Sequence, residues 1–317
     1  MFRLAHLSDL HLGPLPKPSV GSLISKRIFG FINWHRSRKY HHTNDAWEPL
    51  LSHLHQQNVD HIAVTGDMVN IALPAEFTNA LNVLRTIGLP DRVTLVPGNH
   101  DAYVDVPTDQ GMGKWADYMT SSEAVARNTL QFPFVRRFDD VSLIGVSSAC
   151  PTRPLSARGT VGEKQLRELG PVLRREEDVG QFRVILIHHP PFPDGTKPHK
   201  RLTDADQFQT LLRDIGAELV LYGHNHQSRL TWLDGPQSLI PVIGAPSASI
   251  TAKAPYADRG GYGLIDIDAS EQNGARVHLQ RFGFDGTTVR ALSPRLAVNG
   301  PDQGTIANLI HAAASQG

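Results

Sequence analysis

Five apolar runs of this chain each end in aspartate, asparagine or histidine. Asp9 and His11 follow "RLAHLS", Gly66-Asp67 follow "HIAVT", and Asn99-His100-Asp101 follow "VTLVPG". Further on, His188-His189 follow "VILI", and Gly223-His224-Asn225-His226 follow "ELVLY". Any one of these endings has an ordinary reading, because Asp, Asn and Gly are common turn and cap residues. Taken together, aspartates, an amide and several histidines gathered out of water need a partner to offset their desolvation. Divalent metal ions are such partners, and the donor set is too large for one. Imidazole suits Zn and Fe, while carboxylate and amide oxygens suit Mg and Mn, so a mixed set implies Mn, Fe or Zn. A shared carboxylate can hold two such ions roughly 3.5–4 Å apart, the spacing used in hydrolytic phosphoryl chemistry.

The elements that must position these residues read as alternating strands and helices. "FRLAHLS", "HIAVTGD", "RVTLVPGNHD", "VSLIGVSS", "FRVILIHHPP" and "AELVLYGHNH" have strand character. Between them, "AWEPLLSHLHQQN", "PAEFTNALNVLRTIG", "VGEKQLRELGPVLRR" and "TDADQFQTLLRDIG" carry the helical period, the last opened by Thr203 or Asp204. This alternation predicts an α/β fold with βαβ units and a largely parallel, buried sheet. Parallel strands deliver their C-terminal ends to one edge, so distant polar endings can meet there. In the last third, "SLIPVIGAPSAS", "GYGLIDIDA" and "ARVHLQRFGFDG" follow one another without helices. They are expected as antiparallel strands completing a second sheet.

Bulk properties narrow the function. The 317 residues carry 31 Lys+Arg against 31 Asp+Glu, so no global basic field points to a nucleic-acid polymer. The single cysteine, Cys150, excludes an internal disulfide framework and a cysteine-rich zinc site. "MFRLAHLSDLHLG" lacks the long apolar stretch of a signal peptide, and no run suits a membrane-spanning helix. A cytoplasmic location is the expectation. The chain is expected as one domain over 1–300, with a tail or short helix over 301–317. Residues 14–43 form an insertion mixing Lys26, Arg27, Arg36, Arg38 and Lys39 with Ile24, Phe29, Ile32 and Trp34. It is expected as a structured excursion packing its apolar side on the domain, with a lid or a lipid-facing surface as the functional alternatives.

The ordered set Asp9-x-His11, Gly66-Asp67, Gly98-Asn99-His100-Asp101, His188 and Gly223-His224-x-His226 resembles the calcineurin-like metallophosphoesterase superfamily. Every block is present and in order across residues 9 to 226. The resemblance implies a four-layer α/β/β/α sandwich of two mixed sheets with a dinuclear site at its strand ends. By motif position, Asp9, His11 and His226 would hold one metal, Asn99, His188 and His224 the other, with Asp67 bridging. The resemblance further implies attack by a metal-bound hydroxide, with His100 protonating or steadying the leaving oxygen and Asp101 orienting His100. His189 is expected behind the ligands or against substrate. His41, His42 and the loop "PDGTKPHKR" (193–201) carry candidate contacts of lower standing than an ordinary surface role.

The "HHPP" and "GHNH" blocks look most like the bacterial class III cyclic nucleotide and glycerophosphodiester phosphodiesterases. The expected activity is therefore a metal-dependent phosphodiesterase acting on a cyclic nucleotide or other small phosphodiester. The alternatives are a pyrophosphohydrolase of a UDP-linked lipid A precursor, for which the insertion speaks, a phosphomonoesterase, and a non-catalytic scaffold. The scaffold is disfavoured because no motif residue is missing.

Overall fold

The computed structural model describes residues 1–121, 130–251, 259–269 and 275–298. The short helix expected within 301–317 lies outside these residues. Strands β1 (Phe2–Leu7), β2 (His61–Val64) and β3 (Val93–Leu95) run parallel side by side, with Leu4 opposite His61 and Ile62 opposite Val93. The chain then builds a second sheet from β4 (Phe134–Phe138), β5 (Val141–Gly145), β6 (Phe182–Leu186), β7 (Leu219–Tyr222), β8 (Arg229–Asp234) and β9 (Leu239–Gly244). Its spatial order is β4-β5-β6-β7-β9-β8, parallel except for the β4 and β8 edges. The chain finally returns to the first sheet as β10 (Gly261–Asp268), β11 (Arg276–Phe284), β12 (Val289–Ala291) and β13 (Leu296–Ala297). There β10 lies antiparallel to β1, with Ala5 opposite Leu264.

This corrects the expectation for the last third. β10 and β11 are antiparallel neighbours but extend the first sheet, with β12 and β13 beside them, while β9 joins the second sheet parallel to β7. Apolar alternation marks a strand without naming its partner. The partner of β10 is β1, more than 250 residues away.

The insertion forms α1 (Val20–Leu23), α2 (Arg27–Asn33), a π-helical turn at Trp34–Arg38 and α3 (Lys39–His41). Helices α4 (Asn44–His55) and α5 (Pro74–Ile87) bury Leu50, Leu54, Phe77 and Leu84 in the core shared with the first sheet. Helices α6 (Glu163–Asp178) and α7 (Ala205–Ile215) bury Leu169, Leu173, Phe208 and Leu212 against the second. The two sheets pack on one another, giving the α/β/β/α sandwich.

The two-residue period of a strand explains the unbroken apolar runs. Val184, Leu186, Leu219 and Leu221 join the core shared with the first sheet. Their neighbours Ile185, Ile187, Val220 and Tyr222 turn the other way, under α6 and α7. Burying each such side chain is worth about 1.5–3 kcal/mol. The sandwich can therefore carry a strained, polar edge at its strand ends.

Candidate metal centre

The turns after β1, β2 and β7 bend the backbone into the left-handed region at Asp9 (φ 53°), His11 (45°), Asp67 (58°), His224 (70°) and His226 (55°). None is glycine, and each costs about 1–2 kcal/mol. Strain of this kind concentrates at functional sites. The turns also interlock. The Asp9 N–H donates to the Gly66 carbonyl at 2.9 Å, and the His11 N–H to the Asp67 carbonyl at 3.1 Å. Two glycines permit this approach: a Cβ on Gly98 would meet the Asp67 carboxylate, and one on Gly223 would meet Ser8 Oγ.

The side chains converge as the motif order implied. Asp67 Oδ2 lies 3.4 Å from His11 Nε2 and 3.5 Å from His188 Nε2, between two groups of donors. On one side, Asp9 Oδ1 is 3.1 Å from His226 Nε2 and 3.8 Å from His11 Nε2. On the other, His188 Nε2 is 3.2 Å from both Asn99 Oδ1 and His224 Nδ1.

Backbone carbonyls set the direction of each imidazole. His11 Nδ1–H donates to Val69 O at 3.0 Å, His188 Nδ1–H to Thr65 O at 2.6 Å, and His224 Nε2–H to Lys200 O at 2.9 Å. The remaining nitrogen of each ring is aimed inward, the usual support of a metal-ligating histidine. Asp9 Oδ1 and His11 Nε2 are buried without any hydrogen-bond partner. Unpartnered acceptors facing one another out of water fit a cation.

The electrostatics agree. Burial works against a charged His188, yet Asp67 beside it lifts the ring to about 9. Burial alone would raise the Asp67 carboxyl, but His188 and His100 hold it well below the ordinary range. A positive charge is thus favoured between these groups. Burial holds His11 and His224 well below the ordinary histidine value, which keeps their lone pairs available.

His100 stands at the mouth of the cluster. Its backbone N–H donates to Asp67 Oδ1 at 2.7 Å, and its Nδ1–H donates to the Asn70 carbonyl at 2.6 Å. Tyr103 stacks on the ring at 5.3 Å. Asn70 is held in turn by Glu76, which accepts the N–H groups of Asn70, Ile71 and Leu73.

Asp101 does not orient His100. Its carboxylate accepts the N–H groups of Asp67, Met68, Val69 and Gly98 at 2.8–3.2 Å, tying the turn after β2 to the turn after β3. Burial, and then Asp67, push its carboxyl up to about 7. Adjacent residues on this tight turn face opposite ways, so the acid next in sequence is not next to the ring. His189 likewise does not reach substrate space. It is fully buried, with Nδ1 at 2.7 Å from Ser148 Oγ and Nε2 at 3.1 Å from the Ala157 carbonyl.

One contribution, from Arg38, was given no site role in the sequence, and another, from His42, was only a candidate contact there. Arg38, on the π-helical turn of the insertion, enters the cluster and donates from Nη2 to His100 Nε2 at 2.7 Å. Burial, and then this guanidinium, hold His100 down to about 3. His42 packs its ring 5.0 Å from His11 and 5.6 Å from His226, with Nδ1 at 2.7 Å from Ser249 Oγ. Its neighbour His41 lines the cleft beside it, as do His199 and Lys200 of the 193–201 loop. The insertion is clamped in place by Arg27, which donates to the Ile71 and Ala72 carbonyls, and by the buried Trp34. It is both a packed excursion and a wall of the site.

Comparison with known proteins agrees with this geometry. The family model described as calcineurin-like phosphoesterase matches residues 2–228. A probable cyclic nucleotide phosphodiesterase from Synechococcus sp. is 35% identical over 98 residues, which span 29% of this chain and 36% of that protein. The glycerophosphodiester phosphodiesterase GpdQ of Enterobacter lignolyticus is 25% identical over 244 residues, covering 72% of each chain. In three dimensions, a dimetal phosphatase from Danio rerio superposes with a TM-score of 0.55 at 13% identity, over 95% of this chain and 99% of that one. That likeness establishes the fold.

Proposed function

The chain belongs to the calcineurin-like phosphoesterase family, and from that premise we propose that it hydrolyses a small phosphodiester, with a cyclic nucleotide or a comparable diester as substrate. It is a metal-dependent phosphoester hydrolase. The observation that carries the reading is the inward-facing set of donors around Asp67, with Asp9 Oδ1 and His11 Nε2 buried and unpartnered. Similarity to two proteins named as phosphodiesterases supports the diester preference.

Asp9, His11 and His226 would hold one divalent ion, and Asn99, His188 and His224 the other, with the Asp67 carboxylate between them. When bound, Mn, Fe or Zn supplies Lewis acidity toward a phosphoryl oxygen and makes water available as a nucleophile near neutral pH. The remaining work falls to the chain. His100 Nε2 faces the cleft. With the Arg38 guanidinium donating to it, the ring is placed to steady the negative charge that builds on the leaving oxygen as the P–O bond opens. The Asn70 carbonyl and the Tyr103 ring keep that imidazole from turning away.

The test is turnover by metal-stripped protein re-supplied with Mn, Fe or Zn, on matched aryl phosphate diester and monoester substrates. Metal-restored preference for the diester is expected. Preference for the monoester would reassign the chain as a phosphatase, and bound metal without turnover on either would sink the reading.

A second reading, a lipid-linked substrate met at a membrane surface, is favoured by the insertion alone. Between Asp9 and Asp45 the chain has six Lys or Arg and no acidic residue. Val20 and Ile24 are 82% and 83% exposed there, and Phe29, Ile32 and Tyr40 are exposed with them. Basic and apolar side chains together suit an anionic interface. No helix among the described residues is long and apolar enough to cross a membrane. Co-sedimentation with phosphatidylglycerol vesicles but not phosphatidylcholine vesicles, lost on Ile24→Ser with Val20→Ser, would support this reading. Equal recovery in the supernatant with both vesicle types would remove it.

A further inference from the structure

A cleft of about 590 Å³ opens over the ligand cluster, and its walls carry more positive charge than a single phosphodiester calls for. Lys26 and Arg38 line it from the insertion, and Lys200 from the loop after β6. None of the three forms an ion pair with a carboxylate among the described residues. Arg38 Nη2 sits 2.7 Å from His100 Nε2, so the guanidinium occupies the space beside the proposed leaving-group residue. Lys26 Nζ lies 4.3 Å over the Tyr103 ring, on which His100 stacks. It is steadied by Thr152 Oγ1 at 2.6 Å and the Ser156 carbonyl at 3.1 Å. Arg38, His100, Tyr103 and Lys26 therefore form a continuous row leading away from the ligand cluster. Lys200 flanks the opposite side, where its carbonyl receives the His224 Nε2–H.

Cations held part-buried without counter-charge are costly unless a ligand supplies the charge. A guanidinium is also the side chain best shaped to grip phosphate through paired N–H groups. Once two divalent ions neutralise Asp9 and Asp67, a diester with one negative charge leaves Arg38 and Lys26 without an anion. A second phosphoryl group on the departing side would meet both.

We propose that Arg38 and Lys26, assisted by Lys200, form a subsite for a second phosphate on the leaving-group side of the scissile phosphorus. The inference rests on the phosphoesterase reading of the site and narrows it. The substrate is then a diester whose leaving group carries phosphate, either a pyrophosphate bridge or an alcohol phosphorylated close to the ester. In the pyrophosphate case, water adds its hydroxyl to the scissile phosphorus. The bridging oxygen keeps the bond pair and leaves with the second phosphate, and the remaining water proton passes to solvent. Arg38 and Lys26 balance the charge of that departing phosphate.

The probes are methylphosphonate and methylenediphosphonate, titrated by calorimetry into metal-loaded protein with the metal ions in excess. Wild-type protein is expected to bind the diphosphonate at least about tenfold more tightly than the monophosphonate, the worth of one or two charge-assisted contacts. Arg38→Gln and Lys26→Met should each erase most of that preference, with metal content and methylphosphonate affinity little changed, and Arg38→Lys should restore part of it. A wild-type protein without the preference, or an Arg38→Gln protein that keeps it, overturns the proposal. Turnover on aryl diesters separates the two readings. Metal-restored diester turnover with no diphosphonate preference removes the subsite alone, whereas an Arg38-dependent preference without any turnover removes the hydrolase reading alone. Comparing turnover of a pyrophosphate diester with that of a phosphoalkyl diester then tells which source supplies the second phosphate.

Discussion

The Nδ1 of His224 faces the Nε2 of His188 at 3.2 Å, while Lys200 O and Thr65 O hold the other nitrogen of each ring. Asp67 favours positive charge at this point, held as a proton between the two rings or replaced there by a metal ion.

Asp67 is the carboxylate between the two groups of donors, so Asp67→Asn removes the charge that both would share. Metal content is expected to fall from two ions per chain to one or fewer, and turnover by at least about a hundredfold. Elemental analysis after gel filtration reads the first and a diester assay the second. Two retained ions would show that Asp67 does not bridge.

His100 offers its side chain to the cleft and only its backbone N–H to Asp67. His100→Ala should therefore keep both metals and the wild-type melting temperature. It should lose about 10²–10³ in kcat, the usual worth of a group that steadies charge in the transition state. Loss of metal together with activity would make His100 a ligand instead.

Asp101 ties two turns together, so its replacement should act on stability before chemistry. Asp101→Ala strands four buried N–H donors. Each unsatisfied group costs about 1–3 kcal/mol before relaxation. A melting temperature lowered by several degrees, with metal affinity falling alongside, is expected. An unchanged melting temperature with a kcat defect would return Asp101 to the catalytic role.

His61 gives a pH signature away from the metal donors. It is fully buried on β2, Nε2 lies 2.7 Å from Thr94 Oγ1, Nδ1 has no partner, and burial lowers it to about 3. The folded value lies below the unfolded one, so the unfolded chain takes up the proton first. The neutral ring's stability is complete above about pH 6.5 and is lost as pH falls toward 3. Between pH 6.5 and 5 this amounts to about 2 kcal/mol. Urea unfolding at both pH values should show the wild-type chain losing that much more than His61→Gln. A parallel loss in both chains would contradict it.

Much of the fold and site can be read directly from local pattern. Periodicity located β1, β2, β3, β5, β6, β7 and helices α4 to α7. A strand that ends in Asp, Asn or His announces itself in a few residues, because the side chain, the turn and the preceding apolar run are contiguous. Edge strands β4 and β8 went unmarked, since half-exposed strands such as β8 lack an unbroken apolar run. The distribution of the last strands between the two sheets was also hidden, because partner choice depends on surfaces formed elsewhere in the chain.

The order and chemistry of the candidate ligands, Asp9 to His226, are thus properties of the amino-acid sequence. So is the α/β character, since both follow from residue type and short-range spacing. Three matters were decided only in the tertiary structure. Asp101 turned from His100 toward four backbone N–H groups, Asn70 took its place through a carbonyl, and Arg38 entered from an insertion with no motif of its own. The physical reason is the same in each case. A backbone carbonyl has no sequence signature, and a long cation finds its place through packing between segments far apart in the chain.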